Sequence, residues 1–132
     1  MKSTAVVIPL TDRTHVYRQG RKIIFSVVGQ HTTDAARDAT DQLRQLVDDI
    51  RGPVEFVADL REITGFTIDG RVFWQDAFRE TRGRIRMITV VKGTALARMT
   101  ASAVGLYAGI KVRSLDTIEE ALDPRLDPPL ES

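Results

Sequence analysis

The stretch VEFVADLREITGFTIDGR, from Val54 to Arg71, decides the fold. Val54, Phe56, Val57 and Ala58 read as a buried strand, and the apolar run stops at Asp59-Leu60-Arg61. The pattern predicts a strand over 54–60, a loop over 61–66, and a helix that opens at Thr67 and runs to Thr81. An acid and a base at the mouth of an apolar strand fit four roles. These are catalysis, ligand binding, a partner surface, or closure of the loop.

Upstream, THVYRQGRKIIFSVVG reads as two short strands around a turn at Arg18-Gln19-Gly20-Arg21, where Gly20 supplies the positive φ of a tight hairpin. The second strand, about Lys22 to Val28, is nearly all apolar and therefore central. Ala5 to Leu10 reads as an edge strand or a loose arm, with Pro9 limiting its pairing. Thr33 to Ile50 carries an apolar stripe of Ala36, Ala39, Leu43, Leu46, Val47 and Ile50 at helical spacing, with Thr33 as its cap. Gly52-Pro53 stops that helix.

Downstream, Phe73, Trp74, Ala77, Phe78 and Thr81 mark the inner face of the helix from Thr67. Arg84 to Val91 is a further buried strand. Thr94 to Tyr107 is a helix rich in Ala, Ser and Gly, whose small side chains allow close approach to a sheet or to a second subunit. Ile110 to Leu115 reads as the last strand, and Thr117 with Glu120 forms a capping box for a short final helix. The order β-β-α-β-α-β-α-β-α points to an α/β fold. The expected sheet is mixed, with an N-terminal antiparallel hairpin, then parallel β-α-β units, packed with about four helices. One domain is expected over 1–122, with 1–12 as the edge strand or arm and 123–132, rich in proline, as a flexible tail.

At 132 residues the chain can bury a core without staples, and it has no cysteine, so disulfides and thiolate chemistry are excluded. The six-residue apolar run near the N-terminus is too short for a signal-peptide core or a membrane span, which gives a cytoplasmic expectation. A net charge of +1 gives no case for nucleic acid, and the basic stretch 79–113 lacks interleaved aromatics. Charge is nevertheless segregated. Eight basic residues stand against Glu80 alone between Arg79 and Arg113, while six acids follow Ser114. Arg79, Arg82, Arg84 and Arg86 could form a basic surface for an anionic membrane, or their charge could simply be solvated.

His15 and His31 lack metal-site spacing, so neither metal nor cofactor is expected. No nucleophile elbow, phosphate loop or dinucleotide fingerprint occurs. Asp59, Glu62 and Asp69 have no partner that completes a catalytic set, and a small hydrolase or isomerase using Asp59 is the weakest reading. Ligands of open α/β sheets bind outside the carboxyl ends of the strands. Asp59, Arg61, Thr64, Thr67, Thr94 and Arg98 are therefore the candidate binding residues if their strands are neighbours.

These residues resemble the STAS domains of anti-sigma-factor antagonists and sulfate-transporter tails. Asp59-Leu60 matches the strand end, Ile63-Thr64 the loop, and Gly70 the glycine of the helix start. The SpoIIAA-like branch, described as STAS/SEC14-like, is the closer match. It shares an Asp59-Leu60-Arg61 run, Arg71 with Trp74 on a helix, the strand Arg84 to Val91, and the helix start Ala95 to Met99. The resemblance spans Val16 to Leu122. It implies a non-enzymatic binding or regulatory module, holding a protein partner or a small apolar, lipid-like ligand, with homodimerisation open. STAS antagonists are switched by phosphorylation of a serine just before that glycine. Here Ile68 and Asp69 stand at the serine positions, which leaves Thr67 as the nearest hydroxyl for an alternative, switched function.

Overall fold

The computed structural model describes residues 14–127. Its elements are β1 (His15–Gln19), β2 (Lys22–His31), α1 (Thr33–Asp49), β3 (Val54–Phe66), α2 (Gly70–Thr81), β4 (Ile85–Val91), α3 (Ala95–Tyr107), β5 (Val112–Leu115) and α4 (Ile118–Leu122). The strands lie in the order β1-β2-β3-β4-β5. β1 and β2 pair antiparallel through the turn at Gly20 (φ +63°), and each later neighbour is parallel. The α/β fold is therefore a mixed sheet with four helices, as the element order predicts. The edge strand expected at Ala5–Leu10 lies outside the described residues.

Each parallel crossover adds the next strand on the same side of the last. Crossovers of one hand then place α1, α2 and α3 on one sheet face. Their inner residues, such as Leu43, Trp74, Phe78 and Val104, form one core with Phe25, Val27, Phe56, Ala58 and Ile88. Among the described residues the helix on the other face is α4, whose Ala121 packs with Ile24, Val57 and Val91. β3 is buried on both faces over residues 54–60. Its alternation sends Val54, Phe56, Ala58 and Leu60 to the three-helix side, and Glu55, Val57 and Asp59 to the α4 side.

Two local expectations need correction. The loop expected over 61–66 is strand. β2 continues to His31 and keeps pairing, with Gly29 opposite Ile63 and His31 opposite Phe66, through irregularities beside Asp59 and Ile63. Gly29 at φ +90° supports this bend. The following helix starts at Gly70, not Thr67. Residues 67–69 form turns in which Gly70 N–H reaches the Thr67 carbonyl at 3.2 Å. Thr67 is not a cap, because its hydroxyl pairs with that of Thr33 at 2.8 Å. Thr33 is correspondingly freed from capping, and Thr32 caps α1 by accepting from Ala35 N–H. Thr94 caps α3 by accepting from Ala97 N–H, and the Thr117–Glu120 capping box forms as expected.

Beneath α4 sits a network that the linear sequence conceals. Glu55 is buried and takes Lys22 Nζ at 2.6 Å, Arg113 Nη2 at 3.0 Å, and the Thr89 hydroxyl. Lys22 also holds Asp127 at 2.6 Å, and Arg113 donates to the Leu126 carbonyl. Residues 124–126 form a 3-10 turn under these contacts.

Candidate functional site

The helix α3 meets the sheet unevenly. At Gly105 it lies so close that a Cβ would stand 2.5 Å from Val112 Cγ2 and 3.0 Å from Ile88 Cδ1. Toward its N-terminus it offers only Ala97, Thr100 and Ala101 to the interior. Such short side chains leave space when the backbone is held by the rest of the helix. The result is an apolar cavity of about 90 Å³ between α2, α3 and the sheet, open to the surface. Phe56, Ala58, Leu60 and Ile63 of β3, Trp74 and Phe78 of α2, and Ala97 and Ala101 of α3 are among its walls.

An aromatic cluster closes one side. The Phe25 and Trp74 ring centroids are 4.8 Å apart, those of Phe56 and Phe78 5.1 Å, and those of Trp74 and Phe78 5.7 Å. His31 belongs to this wall. Its Nε2 accepts the Trp74 indole N–H at 3.0 Å. An imidazole nitrogen that accepts carries no proton, so neutral His31 holds its proton on Nδ1. Nδ1 is buried without a hydrogen-bond partner among the described residues. Burial lowers the His31 pKa from 6.5 to about 4, so the ring is neutral at pH 7. Arg71 is the only charged residue among the described residues that line the cavity.

The candidate residues divide between two places. Thr67 lines the apolar cavity. Arg61 and Thr94 meet instead at an open depression of about 510 Å³ that Lys92, Gly93, Thr117 and Glu119 also line. Asp59 lies under Arg61 and accepts from its Nε and Nη2, both at 2.8 Å. These hydrogen bonds raise the Arg61 pKa. Asp59 also accepts the Arg61 backbone N–H, so the pair clasps its own strand end. Burial, and then the Asp59 charge, raise the pKa of the nearby Tyr17 phenol. Thr64 and Arg98 are exposed and line neither place.

The four basic candidates do not share one surface. Arg79 stacks 5.6 Å over the Tyr107 ring on the α2–α3 side. Arg84 donates to the carbonyls of Ile50 and Gly52 and so closes the end of α1. Arg79 and Arg82 line one open depression with Asp76 and Glu80, and Arg86 lines another beside Pro124 and Leu122.

The sequence reading missed the cavity walls. Phe25, Phe56, Trp74 and Phe78 look like ordinary core, and His31 like an ordinary loop residue. The one usable signal was the run of small residues in α3. Among the described residues no three His, Cys, Asp or Glu side chains gather as a metal site needs, and no helix is long and apolar enough to cross a membrane.

Comparison with known proteins gives a consistent picture. The SpoIIAA-like family model matches residues 23–123. No curated protein matches the chain. A crystal structure from Shewanella loihica PV-4, of an uncharacterised protein with a SpoIIAA-like fold, is similar at a TM-score of 0.63 and 13% identity, covering 83% of this chain and 89% of that one. The anti-sigma factor antagonist SpoIIAA in its unphosphorylated form is similar at a TM-score of 0.62 and 10% identity, covering 83% and 94%. At these identities the likeness is one of fold.

Proposed function

We propose, from the premise that this chain belongs to the SpoIIAA-like family, that it is a non-enzymatic binding module whose site is the cavity between α2 and α3. The observation that carries this reading is a solvent-open cavity with almost wholly apolar walls inside an otherwise close-packed core. A void of this kind costs stability, because its walls lose contacts that a filled core would make. A chain under selection for stability alone would close it with a larger side chain at Ala97 or Ala101. Among the described residues the acid and base candidates are engaged with structural partners, which agrees with this. Asp59 is committed to Arg61, Glu55 to Lys22 and Arg113, and His31 to Trp74.

Xenon is the direct test, since apolar cavities take it up. Trp74 is the only tryptophan of the chain and lines the cavity, so its indole ¹H–¹⁵N signal reports occupancy. Saturable movement of that signal under xenon pressure is expected. No movement overturns the reading. Native mass spectrometry of protein from its own host would then show what it retains.

A switch at Thr67 is the second reading, and it is favoured by one observation. Thr67 lines the cavity while its hydroxyl holds that of Thr33, so a phosphate there would act on the site itself. Intact-mass analysis of protein from the host tests it, and unmodified Thr67 under all growth conditions removes it.

A further inference from the structure

Seven large hydrophobic side chains are exposed among the described residues, and six of them lie on or just before α2 and α3, the helices that flank the cavity, though none of the six lines it. Ile68 and Val72, at the start of α2, are 68% and 51% exposed. Leu96 and Met99, at the start of α3, are 65% and 69% exposed. Leu106 and Tyr107 continue the row along α3. Leu96, Met99, exposed Ala103 and Leu106 follow i, i+3, i+7, i+10 spacing, which is one outward stripe of a helix. α2 and α3 each follow a parallel strand, so their N-terminal ends lie at the same end of the sheet. The cavity thus opens in a groove between two helices whose outer surfaces carry these apolar side chains. Apolar patches concentrated in this way mark interaction sites rather than the scattered exposure of an ordinary surface.

Size and charge select the occupant. The cavity holds about 90 Å³, less than the roughly 150 Å³ that takes a benzene ring. A long acyl chain needs several times that volume. One aliphatic side chain of leucine size does fit. Arg71 lines the cavity, is exposed, and has no ion pair among the described residues. On the same side of α2, Arg79 reaches across to Tyr107. Glu80 holds Arg44 of α1 at 2.9 Å, while Asp76 and Glu80 line one open depression with Arg79 and Arg82. Arg71 therefore presents an uncompensated cation at the mouth of the cavity. A two-fold contact of this face with itself would bring like charges together, which argues against a second copy of the chain.

Building on the cavity reading, we propose that the α2–α3 groove docks a segment of a partner protein that inserts one aliphatic side chain into the cavity and sets carboxylates against Arg71. This is the anchor-and-pocket arrangement in which a single desolvated side chain dominates affinity, with a charged rim that orients it.

Three capped pentapeptides test it. The first has a central leucine with two aspartates on each side, the second replaces the leucine by alanine, and the third replaces the aspartates by lysines. Each is titrated while the Trp74 indole signal is followed, beside xenon and decanoate. The acidic leucine peptide is expected to bind at least about tenfold tighter than the alanine one, the factor that burial of an aliphatic side chain gives. It should also bind tighter than the lysine one, with an affinity that falls as salt rises and falls again in Arg71→Gln. If xenon binds but the three peptides do not differ, the partner inference is overturned and the cavity reading stands. If decanoate binds tighter than the acidic leucine peptide, the occupant is a lipid and the inference is again overturned. If neither xenon nor any peptide moves the signal, both fail.

Discussion

Replacing His31 by glutamine should flatten the acid sensitivity of the fold. The folded chain holds His31 neutral down to about pH 4, whereas the unfolded chain titrates near the ordinary value of 6.5. Between those values the unfolded state binds a proton that the folded state refuses. Stability is therefore fully present above about pH 6.5 and is lost as pH falls toward 4. At about 1.4 kcal/mol per pKa unit, the shift amounts to about 2 kcal/mol of lost stability at pH 5 and about 3 kcal/mol at pH 4. His31→Gln keeps an acceptor for the Trp74 indole and removes the titration. Urea unfolding at pH 7 and pH 5, followed by Trp74 fluorescence, gives four free energies. Carboxylates titrate alike in both proteins and cancel in the double difference. The wild type should lose about 2 kcal/mol more than His31→Gln between the two pH values. With a slope of roughly 1–3 kcal/mol per molar urea, that moves the midpoint by about 1 M. Equal losses in the two proteins would refute the buried, neutral imidazole and with it the Nδ1–H assignment.

Three further outcomes follow from the packing. Ala101→Leu places methyl groups in the cavity and should raise the thermal midpoint, by up to about 2 kcal/mol at ~24 cal/mol per Å³ filled, while abolishing xenon uptake. A lower midpoint with xenon uptake unchanged would show that the side chain never enters. Gly105→Ala forces α3 away from Val112 and Ile88 and should cost about 1–3 kcal/mol in urea unfolding; no loss would mean the close approach is not real. Glu55→Gln leaves Lys22 and Arg113 facing a neutral amide and should cost about 3 kcal/mol, with faster proteolysis around residues 123–127; an unchanged midpoint and cleavage pattern would make the network dispensable.

The sequence was most legible where one element presents one face to water. α1 has a clean helical stripe and caps, the hairpin has Gly20, and the parallel units have buried strands between amphipathic helices. It was least legible in β3. The run from Val54 to Leu60 has two buried faces, so the period-2 signal that separates them is nearly silent, and the ITGF that continues the strand looks like a loop. Only the length of β2, which reaches His31, keeps that segment paired. The start of α2 is hidden for the same reason. Both Thr33 and Thr67 stand near helix starts, and neither caps, because their hydroxyls pair across 34 positions of the chain.

The acid and base at the strand end show what that silence hides. Read along the chain, Asp59 and Arg61 stand next to Leu60 and share a crevice with Thr67. Read through the pleat, they stand on the opposite sheet face from the cavity that Leu60 helps to wall. Asp59 spends both its oxygens on Arg61, and Arg61 faces the open depression with Thr94. A void, in turn, belongs to no residue. The cavity arises because Ala97 and Ala101 stand opposite Phe56, Ala58 and Leu60 at a helix-to-sheet distance that other positions fix, Gly105 among them. The alanines are visible in the sequence, but the distance they fail to fill is not. The site is therefore legible only as a hint, a helix with side chains smaller than its burial calls for, and it becomes a site once the sheet and α2 are in place around it.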